Sequence, residues 1–445
     1  MMVSEFNFFQ NWYPLSPIED LNPEQPTPVM LLGINLVIWK PKNSPTYQVF
    51  IDECPHRLAP LSEGRVDEKT GDLMCSYHGW QFDQKGICTT IPQAEKPEIV
   101  SKNKDNFCVV KFPTQEANDL LWVWADPNSS EQAANTPLPL SPQIDVSKGF
   151  VWSSFVRDLE YDWQTLVENV ADPSHVPFAH HGVQGNREKG SPIPLKIIES
   201  NLNLIEAKYK GFFNTKITFE PPCRLEYEIE FGSDGKQVGL VTYCLPVSPG
   251  KSRIVAQFTR NFAKRLNKII PRWWEHVKTR NLVLDGDMIF LHQQERLLQQ
   301  KQKTESWKTA YKLPTEADRL VIEFRKWFEQ YSGGKLPWEQ VGISQPEVLP
   351  MTKNRHEILD RYQQHTQHCS SCKGALKAVK RWQLGLLIYF IVAISTAAIL
   401  PDFWRLRVGL PLVLTALTGL GIYAWLKYRL EPKFYFVDYV HADKK

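Results

Sequence analysis

Two charge-free stretches near the end of the chain, Trp382–Leu400 (WQLGLLIYFIVAISTAAIL) and Val408–Leu426 (VGLPLVLTALTGLGIYAWL), limit its possible folds more than any other feature. Each approaches the ~20 apolar residues that cross a bilayer core. A helix apolar on every face normally meets lipid, so a transmembrane helical hairpin over 382–427 is expected, the alternative being a buried helical pair of a soluble domain. Lys373, Lys377, Lys380 and Arg381 precede the first stretch, and Lys427, Arg429 and Lys433 follow the second, against Arg405 and Arg407 between them. Basic residues stay on the cytoplasmic side, so both ends of the hairpin are expected there. The rest of the 445-residue chain must fold outside the bilayer and is long enough for two domains.

A net charge of +3, spread along the chain, gives no basic patch and argues against a nucleic-acid partner. The eight cysteines form no disulfide framework: Cys54, Cys75, Cys369 and Cys372 sit in short motifs, and Cys88, Cys108, Cys223 and Cys244 read as ordinary small residues. A reducing compartment follows. The start, MMVSEFNFFQNWYPL, has neither a signal-peptide core nor an Arg- and Ser-rich transit composition, so neither export nor organelle import is expected.

Short β-rich runs punctuated by Gly, Pro and Asn predict an all-β domain over 1–127. The polar, Pro-rich stretch 128–146 reads as a linker. Helical patterns near 163–180, 273–300 and 316–331 bracket long strands, which predicts an α+β domain over 147–355 built on a curved antiparallel sheet of the helix-grip type. A juxtamembrane segment, 356–381, leads to the hairpin, and 428–445 forms a tail.

Cys54-x-His56 and Cys75-x₂-His78 supply two thiolates and two imidazoles. Zinc accepts that set, and so does a Rieske [2Fe–2S] centre, so the ligand types leave both open. Further along, Asp172-x₂-His175-x₄-His180 puts Asp172 and His175 about one helical turn apart. Five residues is an awkward helical offset for two ligands, and Pro177 is expected to kink the helix and swing His180 round. Two histidines and a carboxylate make the facial triad of a non-haem Fe(II) site; LVLDGDMIFLHQQE offers Asp285 and Asp287, either of which also reads as a solvated helix-start acid. Asp172 by itself also reads as a helix cap. His181 reads as a residue behind the ligands or on the surface.

The context CPHR…SEGRV…CSYHGWQFD, with Gly86 and IPQ following, closely resembles the Rieske domain of ring-hydroxylating and related non-haem iron oxygenases over Trp12 to about Pro92. The resemblance implies a Rieske cluster on Cys54, His56, Cys75 and His78, and an Fe(II) ion on His175, His180 and Asp287, Asp285 being second choice. It also implies that Asn169 and Asp172 belong to the site, Asp172 bridging to a Rieske histidine of the next subunit in a homotrimer. A pure electron-transfer Rieske protein has no second iron site and carries its anchor before the cluster, whereas here it comes last.

The C-terminal anchor preceded by CSSC resembles the pheophorbide a oxygenase (lethal leaf-spot, cell-death-suppressor) branch of that family. This implies O₂, reduced ferredoxin, a chlorophyll-type tetrapyrrole cleaved or hydroxylated at its periphery, and membrane lipid around the anchor. With no transit peptide, it implies a thylakoid or plasma membrane of a cyanobacterium. Cys369 and Cys372 are then expected to be a redox dithiol served by thioredoxin; His365, His368, Cys369 and Cys372 as a zinc set, or no bound role, are the other readings. An oxygenase for another lipid or aromatic substrate, or a non-catalytic redox sensor or translocon-type component, would use the same motifs.

Overall fold

The computed structural model describes residues 6–96, 98, 104–211, 213–232, 235–342, 349 and 354–443. The expected domain boundary at 355 borders residues 350–353, which lie outside that set.

The N-terminal part is all-β. A four-stranded sheet runs in the order Thr27–Leu31, Ile34–Trp39, Gln48–Ile51, Lys111–Phe112, and a second joins Arg65–Val66, Leu73–Met74, Gln81–Phe82 and Cys88–Thr90. A third sheet places Leu120–Trp124 between Trp12–Pro17 and Thr114–Ala117. All five residues of Leu120–Trp124 (LLWVW) are buried, as a strand covered on both faces requires. Trp122 meets Tyr243 of the next domain edge-on at 5.1 Å, so the two domains share one apolar core. The stretch 128–146 is more than a loose connection: it holds a short helix, Ser130–Asn135, and Ala133 and Ile144 enter that core.

The second domain is a seven-stranded antiparallel sheet in the order Val151–Leu159, Lys251–Arg260, Lys236–Ser248, Arg224–Phe231, Asn214–Glu220, Ile205–Lys210, Lys196–Ser200. Helices α1 (Trp163–Ala171), α2 (Asn281–Lys301) and α3 (Arg319–Tyr331) pack with it. Leu320, Phe324, Trp327 and Phe328 on α3 recur at helical spacing and are buried, Phe324 and Trp327 edge-on to Phe219 of the sheet. Burial of each such side chain stabilises by ~1.5–3 kcal/mol. The domain thus joins the Rieske-type module to an α+β fold, as the sequence pattern predicts.

Helices α4 (Ser370–Ile399) and α5 (Leu410–Trp425) form the hairpin; Ser370–Ile399 and the helical run Asp402–Phe434 are each long and apolar enough to cross a membrane. Trp382, Ile388, Ile391, Leu410 and Leu414 are exposed on it. Its two ends meet: Cys372, Leu376 and Val379 share an apolar cluster with Leu430 and Phe434. Both ends therefore lie against the second domain, at Trp273, Trp274 and Val277.

Asp285 ties these parts together. Its carboxylate, with no solvent exposure, meets Arg157 of the sheet at 2.7 Å and Arg361 of the pre-anchor segment at 2.9 Å. Arg157 also donates to Gln364, and Arg361 to the Lys433 carbonyl of the tail. Removing one member of a buried ion cluster strands the others without water. Asp285→Ala is expected to destabilise the protein by about 3–5 kcal/mol, read from the urea-unfolding midpoint in detergent; a loss under ~1 kcal/mol would contradict this role.

Candidate metal centres

Two loops of the first domain share one backbone device. Cys54 N–H donates to the Ala59 carbonyl and Leu58 N–H to the Cys54 carbonyl; Cys75 N–H donates to Trp80 and Gly79 N–H to Cys75. Leu58 and Gly79, at equivalent places, have left-handed φ of 59° and 73°. Each loop thereby tucks its cysteine inside and lifts its histidine outward. Cys54 and Cys75 are buried, and burial pushes the Cys54 thiol up to about 12. A thiolate there requires a cation. The His56 and His78 Nδ1 atoms stand 3.1 Å apart, with His56 stacked on Trp80 at 4.8 Å. Two buried thiols and two convergent imidazoles suit a [2Fe–2S] cluster of mixed ligation. Leu58 and Tyr77 beside them are exposed, so the loops form a projecting tip.

In the second domain α1 ends at Ala171. Pro173 follows Asp172, which is extended (φ −99°, ψ 103°), and the residue before a proline is disfavoured in the helical region. The chain turns there and restarts as Val176–Ala179, with Pro177 in the first turn where proline is tolerated. The kink expected at Pro177 thus lies at Asp172–Ser174. His175 and His180 flank the short helix as its two caps. Their Nε2 atoms stand 3.2 Å apart, and Asp287 of α2 brings its carboxylate oxygens to 3.8 Å from His175 and 3.4 Å from His180. All three ligand atoms lie within 4.8 Å of one another.

The donor chemistry suits iron. Burial pushes the Asp287 carboxyl up to about 7, against the lowering effect of His175 and the Asn169 amide. Burial, with His175 facing it, pushes His180 down to about 3. These groups need a shared cation to be buried together. The Asp172 carbonyl lies 2.5 Å from His175 Nδ1, so that nitrogen donates and Nε2 is left free toward Asp287. Asp172 is itself held by Ser174, whose N–H and hydroxyl both donate to its carboxylate. Burial opposes its ionisation, but the His175 imidazole 3.7 Å away and the hydrogen bonds from Ser174 win and hold it below the usual range. Asp285, the second choice for the carboxylate, points away into its arginines. His181 accepts from the Arg187 N–H, apart from this group.

A cavity of about 470 Å³ opens on the trio, bounded by apolar sheet residues such as Phe155, Leu240, Ile254 and Phe258. Arg280 enters its wall, the guanidinium carbon 3.3 Å from the centre of the Phe258 ring. Burial lowers its pKa to about 10, so it remains a cation at neutral pH. On the other side Asn169, Asp172 and His175 border an outer cleft with Phe290 and Gln294. The trio therefore separates an inner cavity from an outer surface.

The Rieske [2Fe-2S] domain family matches residues 11–113, and the pheophorbide a oxygenase family matches 219–305. The structure of dicamba monooxygenase bound to dicamba superposes with a TM-score of 0.60 over 74% of this chain and 98% of that one, at 18% identity. The chain is a Rieske non-haem iron oxygenase, whose cofactors are a Rieske [2Fe–2S] cluster and a mononuclear iron. Pheophorbide a oxygenase, chloroplastic, of Oryza sativa subsp. japonica is 40% identical over 99% of this chain and 86% of its own length. Flavonoid 8-hydroxylase 2, chloroplastic, of Ocimum basilicum is 31% identical over 98% and 86%. The chain belongs to the pheophorbide a oxygenase family.

Three residues near these centres carry no sequence signal. Arg280 lies outside every motif, five residues before Asp285. Tyr439 returns from the tail beyond the hairpin, is buried, and donates to the Ala179 carbonyl beside His180. It packs on Gly286, where a Cβ would meet it at 3.2 Å. His276 joins His365, Cys369 and Cys372 in a buried group, while His368, part of the alternative zinc set, instead contacts the Gln367 amide. Asp287→Ala is expected to lose one iron per chain while keeping the cluster's two irons and two labile sulfides. Iron and sulfide analysis checks this, and folded Asp285→Asn should keep all of its iron.

Proposed function

We propose that this enzyme is anchored in a membrane by its helical hairpin and oxygenates a chlorophyll-type tetrapyrrole, using O₂ and electrons from reduced ferredoxin. The cluster is held by Cys54, His56, Cys75 and His78, and the mononuclear iron by His175, His180 and Asp287. When bound, the iron supplies O₂ activation and the cluster passes electrons one at a time. The observation that carries the substrate class is the apolar cavity with a half-buried cation, Arg280, on its wall and the exposed Lys189 also along its lining. A tetrapyrrole with a propionate side chain presents a wide apolar face and a single anion, which that lining complements.

Asp172 has its carboxylate at the outer cleft, where a histidine N–H on the projecting loop tip of a second copy can donate to it. This makes a homotrimer, with the tip of one subunit in the cleft of the next, the assembly that fits the reading. Asn169 steadies the Asp287 carboxylate, and Asp172 fixes the tautomer of His175. The hairpin concentrates the enzyme where an apolar substrate partitions.

A second reading, an aromatic substrate of flavonoid type, draws on the Ocimum basilicum relative and keeps every residue role. Absorbance titration with pheophorbide, chlorophyllide, protochlorophyllide and a flavone, followed by turnover with reduced ferredoxin, separates the two; a product from the flavone alone would overturn the tetrapyrrole reading. Arg280→Gln is expected to raise KM roughly 10–150-fold for a free-acid tetrapyrrole and to change it little for the methyl ester. Asp172→Ala is expected to keep its iron and sulfide yet lower turnover by roughly 10–100-fold or more, and normal turnover in that variant would remove Asp172 from the mechanism.

A further inference from the structure

The catalytic trio and cavity leave one chemistry-bearing cluster unused. Cys369 caps the start of α4, and Cys372 lies in its first turn. His276 comes from the helical segment that runs into α2, 96 residues before Cys372, and His365 from the pre-anchor segment. All four side chains are at most 3% exposed. His365 Nε2 lies 3.3 Å from Cys372 Sγ, and His276 Nδ1 lies 3.6 Å from both sulfurs.

Those distances suit a shared tetrahedral ion. A tetrahedral zinc ion with Zn–S ~2.3 Å and Zn–N ~2.0–2.1 Å sets its nitrogen and sulfur ligands about 3.6 Å apart. One imidazole nitrogen equidistant from two sulfurs is also poor hydrogen-bond geometry, since it can accept only one S–H. The surroundings orient the ligands as a metal site needs: His365 Nδ1 donates to the Val156 carbonyl at 2.5 Å, which leaves Nε2 as the free lone pair facing Cys372. Arg272 points an N–H at Cys369 Sγ from 3.5 Å, a contact suited to a thiolate. Both histidines sit in widened π-helical turns, His276–Arg280 and Tyr362–Thr366, a distortion that recurs at functional sites.

We propose that His276, His365, Cys369 and Cys372 form a structural zinc site that clamps the membrane anchor to the catalytic domain. Binding displaces the two thiol protons and leaves a neutral Zn(S)₂(N)₂ unit, which can be buried without a counter-ion. Four protein ligands close the site, so it is structural rather than catalytic. The ion staples three segments: the helical run that leads to Asp285 and Asp287, the pre-anchor turn, and the first turn of the membrane helix.

The test uses untagged full-length protein, purified in detergent with a reductant, with zinc, iron and labile sulfide measured in the same sample. The expected result is about one zinc per chain beside the iron. His276→Gln and Cys372→Ser should each lower zinc at least ~10-fold at unchanged cluster sulfide, and His368→Ala should leave it unchanged. Should the variants misfold, the wild type decides: zinc removed under reduction and replaced by cobalt should give the strong visible bands of tetrahedral cobalt with thiolate ligands. Wild-type protein holding less than ~0.1 zinc, and taking up no tetrahedral cobalt after reduction, would overturn the proposal. A Cys369–Cys372 disulfide in zinc-free protein purified without reductant would make the pair a redox dithiol instead. The iron and sulfide values report separately on the oxygenase centres.

Discussion

Helix α2 carries two carboxylates two residues apart, and the molecule is arranged around their opposite fates. At about 100° per residue, Asp285 and Asp287 point some 200° apart, to opposite sides of the helix. Asp285 enters a dry cluster with Arg157 and Arg361, while Asp287 faces His175 and His180. The first pairing fixes the rotation of α2, and that rotation aims the second. A buried carboxylate between two arginines tolerates little displacement, because any gap strands a charge without water. The trio inherits this precision across about half a turn of helix.

The same helical run ties the trio to the apolar hairpin. Upstream of Asp285 it presents Arg280 to the cavity and His276 to the two cysteines of α4. Gly286, between the two carboxylates, admits Tyr439 from the tail beyond the hairpin. The chain enters the hairpin beside His276 and leaves it to pack behind Asp287. The tail that follows the apolar hairpin is therefore packed directly behind the His175–His180–Asp287 trio.

How much of this the sequence reveals depends on how local each signal is. Cys54-x-His56 and Cys75-x₂-His78 are legible because their loops are short and each backbone turn is made by neighbouring residues. Asp172, His175 and His180 are legible for the same reason, although the bend that joins them lies at Pro173 rather than Pro177, since a proline restricts the residue before it. His276, Arg280 and Tyr439 have no neighbours to announce them. Their partners lie far along the chain, at Cys372, in the cavity wall and at Ala179.

The sequence by itself determines the module order, the two sets of metal-type ligands and the apolar hairpin, because composition and spacing of nearby residues suffice for each. The resemblance already prefers Asp287, but only the tertiary structure shows where Asp285 goes instead, puts His276 rather than His368 with the cysteines, and brings the tail behind the His175–His180–Asp287 trio. Each of those outcomes depends on which faces of distant segments meet once the core is packed. Helical phase and burial decide that, and neither is encoded in any one stretch of the chain.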